Sequence, residues 1–241
     1  MGKNITQQKR GKGSLSYRCP SHRFLGATGH YRGNNTVAGV VMDLKHCPGH
    51  NYPLALIEYS DGNRRENALL PAVEGMQVGM KVGCGAGTAL ALGNALPLSE
   101  IPDGTTICCL ESIPGNGGNF VLSPGSYGYI TSRSDDGKSV SVKLPSGATK
   151  LFLPQCRALI GIVAGAGVKD KPLVKAGKNH YIMHARNKRW PSVHPINMNP
   201  VDHPYGGGGH KHIGKSQTVN RNTPPGRKVG SVAARKMGRG R

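Results

Sequence analysis

Short apolar stretches, each closed by a turn former, recur through the middle of this chain. Val37 to Leu44 (VAGVVMDL) is apolar and Val-rich, and Leu54 to Tyr59 (LALIEY) follows it. Ser60-Asp61-Gly62-Asn63 then leads into Arg64 to Leu70. Asp-Gly between two such runs is a hairpin signal, because it supplies the positive-φ turn that matches strand twist. Gly75 to Val82 (GMQVGMKV) is a turn running into another strand. Thr105 to Glu111, Tyr127 to Ser132, Ser139 to Leu144 and Thr149 to Leu153 are further short strands, with turns at Asp135-Asp136-Gly137-Lys138 and Pro145-Ser146-Gly147. Arg157 to Val168 begins as a strand and becomes a small-residue loop. Helical periodicity is scarce. Lys175 to Arg189 is the best candidate helix, with Trp190-Pro191 as its stop.

Composition sharpens this pattern into a fold class. Gly 36 and Pro 17 in 241 residues are more turn formers than a helical bundle absorbs. Many short strands separated by Gly/Pro turns imply a mainly β protein built from barrels or sandwiches. Two small barrels suit the central segment better than one large sheet, and Gly83 to Asn94 (GCGAGTALALGN) is the expected junction. The longest near-apolar run, Ala158 to Val168, is about half of the ~20 residues that span a bilayer. No charged-then-apolar-then-small pattern opens the chain, so a secretory leader is not expected.

Charge divides the chain into three. The net charge is +20, with Lys+Arg 32 against Asp+Glu 12. Residues 1–36 carry +7 with no acid, residues 37–168 carry −1, and residues 169–241 carry +14 with only Asp170 and Asp202 as acids. A solvated surface mixes signs; one-signed arms repel themselves and gain stability when an anion neutralises them. A polyanion is therefore the expected partner. After Tyr205 no aromatic remains, and Gly206 to Arg241 holds nine basic residues and no acid. That composition cannot offset a backbone entropy of about 1–2 kcal/mol per residue. The tail is expected to be disordered alone and extended on nucleic acid. The arms nominate Lys9, Arg10, Lys12, Arg18, His22 and Arg23, then Lys171, Lys175, Lys178, Arg186, Lys188, Arg189, Lys215, Arg221, Arg227 and Lys228 as RNA contacts. Aromatics are only 5%, so recognition of shape and backbone is expected to dominate over base stacking.

Several motifs invite other chemistry. Cys19-Pro20-Ser21-His22 and Cys47-Pro48-Gly49-His50 are two Cys-x-x-His pairs, and four such ligands suit a tetrahedral zinc. Their separation matches no zinc pattern, and adjacent Cys108 and Cys109 are unsuited to a disulfide, so free thiols and no metal are expected. Gly209 to Ser216 (GHKHIGKS) matches the phosphate-loop string, but that motif needs a strand before it and a helix after it, whereas Gln217 to Gly226 has two prolines and no helical period. His180 and His184 share one face of the candidate helix amid Lys and Arg, which reads as a basic RNA-facing surface. Trp190 is expected in a core. Asp202-His203 has no Ser or Cys nucleophile at informative spacing, so His203 is read as a hydrogen-bonding loop residue against RNA. No catalytic residue and no cofactor is assigned.

Gln8 to Gly13 (QKRGKG), Pro20 to Arg23 (PSHR), Gly93 to Pro102 (GNALPLSEIP), Cys156-Arg157-Ala158, Asp170-Lys171-Pro172, Lys175-Ala176-Gly177 and above all Met198 to Gly208 (MNPVDHPYGGG) carry a resemblance. The chain resembles the universal second protein of the large ribosomal subunit. His212 to Lys215 (HIGK) and Pro225 to Gly230 (PGRKVG) resemble its archaeal and eukaryotic branch. The resemblance implies an oligonucleotide-binding-type barrel over 37–84 and an SH3-like barrel over 85–168. Basic extensions over 1–36 and 169–241 would thread into RNA. It implies primary binding to large-subunit ribosomal RNA, other ribosomal proteins as partners, and a contact with small-subunit ribosomal RNA at the subunit interface. It further implies support of transfer-RNA binding and of the peptidyl-transferase region, with no membrane partner and a cytoplasmic location on the ribosome. It adds Arg157, Asp202, His203, Gly206, Gly207 and Gly208 as RNA-contact positions. Two departures stand out. His194-Pro195 replaces the usual Arg-Gly, and Leu122 stands where relatives carry Arg. The competing class is a general nucleic-acid-coating or DNA-compacting protein; a zinc or phosphate-loop enzyme is a third.

Overall fold

The computed structural model describes residues 2–33, 35–62, 64–168 and 170–235. Asn63 of the hairpin signal and Lys169, at the expected start of the C-terminal arm, lie outside the described residues. The chain divides into two compact units: Ser21 to Leu173 forms one, and the residues up to Pro20 with those from Val174 onward form the other. The units part at Pro20/Ser21 and Leu173/Val174, so residues 21–36, expected in an arm, go with the central unit.

The central unit is mainly β. Its strands are β1 Val37–Lys45, β2 Leu54–Asp61, β3 Arg64–Pro71, β4 Lys81–Cys84, β5 Ala95–Pro97, β6 Thr106–Cys108, β7 Gly128–Arg133, β8 Val140–Lys143, β9 Thr149–Phe152 and β10 Arg157–Ile160. They make a ten-stranded sheet in the order β3-β2-β1-β4-β5-β10-β6-β7-β8-β9. All pairings are antiparallel except β4 with β5, where Cys84 faces Ala95. Strand β1 alternates inward Val37, Gly39 and Val41 with outward neighbours, as a half-buried strand does. Gly39 stands directly opposite Tyr59 in the β1–β2 register. A Cβ on Gly39 would lie 2.6 Å from the Tyr59 ring, so the missing side chain lets a fully buried tyrosine cover the strand.

Two apolar cores sit in this unit. Val41, Leu54, Ile57, Tyr59 and Leu70 anchor the first. Leu98, Ile101, Ile107, Leu110, Ile130 and Val142 anchor the second. Phe120 and Leu144 pack against both. The strand-rich architecture fits barrel-type domains. The sheet nevertheless runs through the expected junction: β5, which the apolar pattern did not single out, pairs with β4 on one side and β10 on the other.

The other unit has little core. Ile5 and Tyr205 are its buried apolar residues among those described. It contains α1 Thr6–Gly11, α2 Ala176–Ala185, and a short parallel pair, β11 Thr218–Val219 with β12 Ser231–Val232. Helix α1 is six residues long with no apolar period, which is why hydropathy did not reveal it. Helix α2 falls inside the expected stretch but stops earlier than Trp190-Pro191. Asn187 adopts φ 49°, and the Asn187 and Lys188 amides bond back to His184 and Met183 carbonyls. Asn accepts this left-handed conformation at a helix end more readily than most residues.

Candidate nucleic-acid interface

The basic residues nominated from the sequence fall mostly on the terminal unit, and all of those but Arg186 are exposed there. Lys9 and Arg10 occupy the last turn of α1, where their charge complements the helix dipole, and Lys12 caps it. The Ile5 amide donates to Gln8 Oε1 at 3.0 Å, closing the helix start. Arg18 Nε donates to the Gly13 carbonyl at 2.9 Å. Lys175 precedes α2, Lys178 lies within it, and Arg186 caps its end half-buried. Lys188, Arg189, Lys215, Arg221, Arg227 and Lys228 are exposed. His22, Arg23 and Lys171 are exposed on the central unit.

Carboxylates are the natural competitors of phosphate. In the terminal unit the ion pair among the described residues is Lys3 with Asp202, at 3.6 Å. Lys9, Arg10, Lys12, Arg18, Lys175, Lys178, Lys188, Arg189, Lys215, Arg221, Arg227 and Lys228 have no carboxylate within ion-pair distance among the described residues.

The segment Met198 to Gly208 is a self-closed loop. The Asn199 carbonyl accepts from the amides of Asp202 at 3.0 Å and His203 at 3.2 Å, and the Gly207 amide donates to the Met198 carbonyl at 3.0 Å. His203 Nδ1 accepts from the Tyr205 amide at 3.1 Å, and the two rings meet at 5.2 Å and 62°. Burial holds the His203 pKa below its ordinary value. An imidazole whose Nδ1 accepts is neutral, with its proton on Nε2. Gly206 and Gly207 are required by the loop itself. A Cβ on Gly206 would lie 2.4 Å from the Asn199 carbonyl oxygen, and one on Gly207, at φ +82°, would lie 2.3 Å from Pro200. Gly208 has φ +96°, and a Cβ there would meet the His210 carbonyl oxygen at 3.6 Å and the His212 ring at 3.7 Å, ordinary van der Waals contacts.

Tyr205 organises the tail beyond. Its hydroxyl reaches the Val229 carbonyl at 3.2 Å, and β11–β12 pair beside it. The expected featureless extended tail is corrected to this extent: a buried tyrosine and a two-stranded pair give residues 205–232 local structure. The composition signal missed it because one aromatic suffices for so small a motif. The phosphate-loop string from Gly209 to Ser216 lies in irregular backbone, without the flanking strand and helix that its mechanism needs.

Arg157 is engaged inside the protein. Its guanidinium is 3.2 Å from Glu111 Oε1, and its Nη1 donates to the Tyr31 carbonyl at 2.7 Å. The Glu111 carboxylate is fully buried and also accepts from the amides of Arg157, Gly115 and Gly117. Burial raises the Glu111 pKa, but the Arg157 amide and guanidinium outweigh it and hold the carboxyl below its usual range. His30 lies in the same network, its Nε2 2.7 Å from the Cys109 carbonyl. Burial lowers its pKa to about 4, opposed in part by Cys109 and Glu111 and aided by Arg157. Arg157 is thus a structural tie within the protein, a role invisible until Glu111 and Tyr31 are brought beside it.

Remaining candidates resolve plainly. All six cysteines are free thiols, and all but Cys19 are buried. Burial pushes the Cys108 thiol up to about 12 and also raises Cys84, Cys109 and Cys156, so these are poor nucleophiles. Cys47 Sγ and His50 Nδ1 are 3.2 Å apart. No group of three or more metal-type ligands occurs among the described residues. Trp190 is half-buried in the wall of a cleft rather than in a core.

The family model described as "Ribosomal Proteins L2, C-terminal domain" matches residues 91–227. Curated relatives match along the whole chain. The large ribosomal subunit protein uL2 of Haloarcula marismortui is 46% identical over 100% of this chain and 99% of its own length. The uL2 proteins of Methanocella arvoryzae and Archaeoglobus fulgidus are 47% and 48% identical over 100% and 99% of this chain and 100% and 99% of their own. The chain belongs to the uL2 family.

Membership makes it a structural, non-enzymatic ribosomal protein of the archaeal-type uL2 branch. The self-closed loop from Met198 to Gly208 lies within the stretch that the family model matches, and in it the Asn199 carbonyl, His203, Gly206 and Gly207 each have a structural task. Leu122, one of the two departures, is half-buried against the first core, so an apolar residue there is explained by packing. His194 precedes the short Pro195–Asn197 turn. No helix among the described residues is long and apolar enough to cross a membrane.

Proposed function

We propose that this uL2 chain is a primary binder of large-subunit ribosomal RNA, with the central unit as a near-neutral scaffold and the terminal unit as its counter-ion. In this reading residues 37–84 and 85–168 are the oligonucleotide-binding-type and SH3-like barrels. The exposed cations named above neutralise phosphates, and His22, Arg23 and Lys171 extend the contact. The Met198 to Gly208 loop presents a neutral His203 and bare glycine backbone to RNA, while Asp202 holds Lys3. Arg157 leaves the set of RNA contacts. The bound protein supports subunit association through small-subunit ribosomal RNA, transfer-RNA binding and the architecture of the peptidyl-transferase region. It works in the cytoplasm, on the ribosome, beside other ribosomal proteins and without cofactor.

One observation supports this most directly: Lys9, Arg10, Lys12, Arg18 and the exposed cations from Lys175 to Lys228 named above have no carboxylate within ion-pair distance among the described residues, although carboxylates would stabilise them. Binding of the full chain to a large-subunit ribosomal RNA fragment, measured from ~50 to ~200 mM salt, tests it. Neutralisation of about 6–10 phosphates predicts a fall of roughly 10³–10⁵-fold. A flat salt dependence, or equal affinity for random duplex DNA, sinks the reading in favour of a coating protein.

A further inference from the structure

Phosphate neutralisation leaves one feature of the terminal unit unused. His180, Met183 and His184 share a face of α2, and with Asn187 they form one wall of a cleft of about 330 Å³. Ser16 and Tyr17 form another wall, and Lys188, Arg189 and Trp190 complete it. That volume is at the small end of ligand pockets. The walls are tied together: Asn187 Nδ2 donates to the Ser16 carbonyl at 3.0 Å and to the Arg18 carbonyl at 2.7 Å. The His180 and His184 rings stack, 6.1 Å apart and 21° from parallel. Tyr17 and Trp190 are half-buried, each held by packing and still accessible.

Two explanations of these rings compete. A core would bury them among aliphatic side chains, but Met183 is the only aliphatic-type side chain in the lining, and no residue of the cleft is buried. A phosphate site would need Lys188 and Arg189 and no rings. Four ring systems beside two cations, with no acid in the lining, suit a flat, electron-rich group joined to an anion.

We propose that this cleft takes a single unstacked nucleobase of RNA, with Lys188 and Arg189 holding the flanking phosphates. The proposal rests on the RNA-binding reading above and adds a base-stacking site to what is otherwise backbone recognition. Stacking on π-faces tolerates any base, so the cleft selects an extruded nucleotide by shape, not by sequence.

Trp190 is the sole tryptophan of the chain, so its emission reports on the cleft in the full-length protein. The probes are a single-stranded RNA hexanucleotide, an abasic sugar-phosphate hexamer of equal charge, and adenosine monophosphate. The hexanucleotide is expected to quench Trp190 and to bind about 5–100-fold more tightly than the abasic chain. Tyr17→Leu should lower hexanucleotide affinity while leaving abasic affinity and the far-ultraviolet spectrum unchanged, and Trp190→Phe should retain most of it. Equal binding of the two hexamers without quenching, by protein that still binds the ribosomal RNA fragment, overturns the cleft alone. Quenching by the mononucleotide at equal concentration overturns its assignment to RNA. Failure to bind the ribosomal fragment at all removes the broader reading and the cleft with it.

Discussion

In the unit from Ser21 to Leu173, cations and anions meet; in the unit made from the two ends of the chain, most of the exposed cations among the described residues have no carboxylate at ion-pair distance. The first pairs Arg157 with Glu111, Arg65 with Glu58, Arg133 with Asp103 and Lys45 with Asp43. The second, among described residues, shows Lys3 with Asp202. Burial follows the same division, since the first unit has two apolar cores and the second buries Ile5 and Tyr205. The comparison teaches that a basic residue is available to RNA only when the fold has not already used it. Arg157 sits in the stretch that the family model matches, yet its charge is spent on a buried carboxylate. Lys9 sits in a helix with no core and keeps its charge for a partner.

The most forceful way to break this comparison is to cut it. Removal of residues from Gly206 onward should leave a cooperative melt of the central unit intact. The salt slope of RNA binding should fall by roughly 0.9 per lost phosphate contact, hence by about 5 if six contacts go. Loss of the melt would mean that the tail belongs to the core. The converse experiment is Glu111→Ala, which strands a buried guanidinium. It should destabilise the central unit by about 3–5 kcal/mol in chemical denaturation while the salt slope stays unchanged. Arg157→Ala should mirror it; a large drop in salt slope with little loss of stability would restore Arg157 as a phosphate contact.

Acid probes the same network more gently. His30 is buried neutral, with a pKa lowered from 6.5 to about 4. The unfolded chain therefore takes up the proton first. The stability due to burying the neutral ring is complete above about pH 6.5 and is lost progressively as pH falls towards 4. Glu111, also held below its usual value, adds a loss of the same sign at the acid end. Denaturation midpoints measured from pH 7 to 4 should fall, and His30→Gln should flatten the upper part of that fall. On the terminal unit, Gly207→Ala places a Cβ against Pro200 at a positive φ. A local cost of about 1–2 kcal/mol predicts RNA binding weakened by roughly 5–30-fold with the central melt unmoved. The smallest expected effect is Lys9→Ala, which should reduce the salt slope by about 0.9 and alter no base preference.

Much of this was legible beforehand. Eight of the ten sheet strands lie within or across the apolar runs, because period-two patterning over a half-buried sheet is a local property. Strand β4 was met only as the end of a turn-and-strand stretch, and β5 was missed because three residues, Ala95 to Pro97, are too few to show a period. Helix α2 was located and its end misplaced, since Asn187 rather than Trp190-Pro191 stops it. Of the interface, the exposed cations were legible as a run of one sign. The self-closure of Met198 to Gly208 and the centring of the tail on Tyr205 were not. Their contacts join backbone groups whose partners no residue type announces.

Charge segregation, strand pattern and family signature add up residue by residue along the chain, so they exist before it folds and are readable in it. The fate of an individual side chain depends instead on what arrives from a distance. Glu111 lies 46 residues from Arg157, the Tyr31 carbonyl lies 126 residues away, and Asn187 grips a carbonyl 171 residues earlier. No window of sequence contains those neighbours. Only tertiary packing turned one arginine into a tie and brought Tyr17 to the rings of His180, His184 and Trp190 around a cleft.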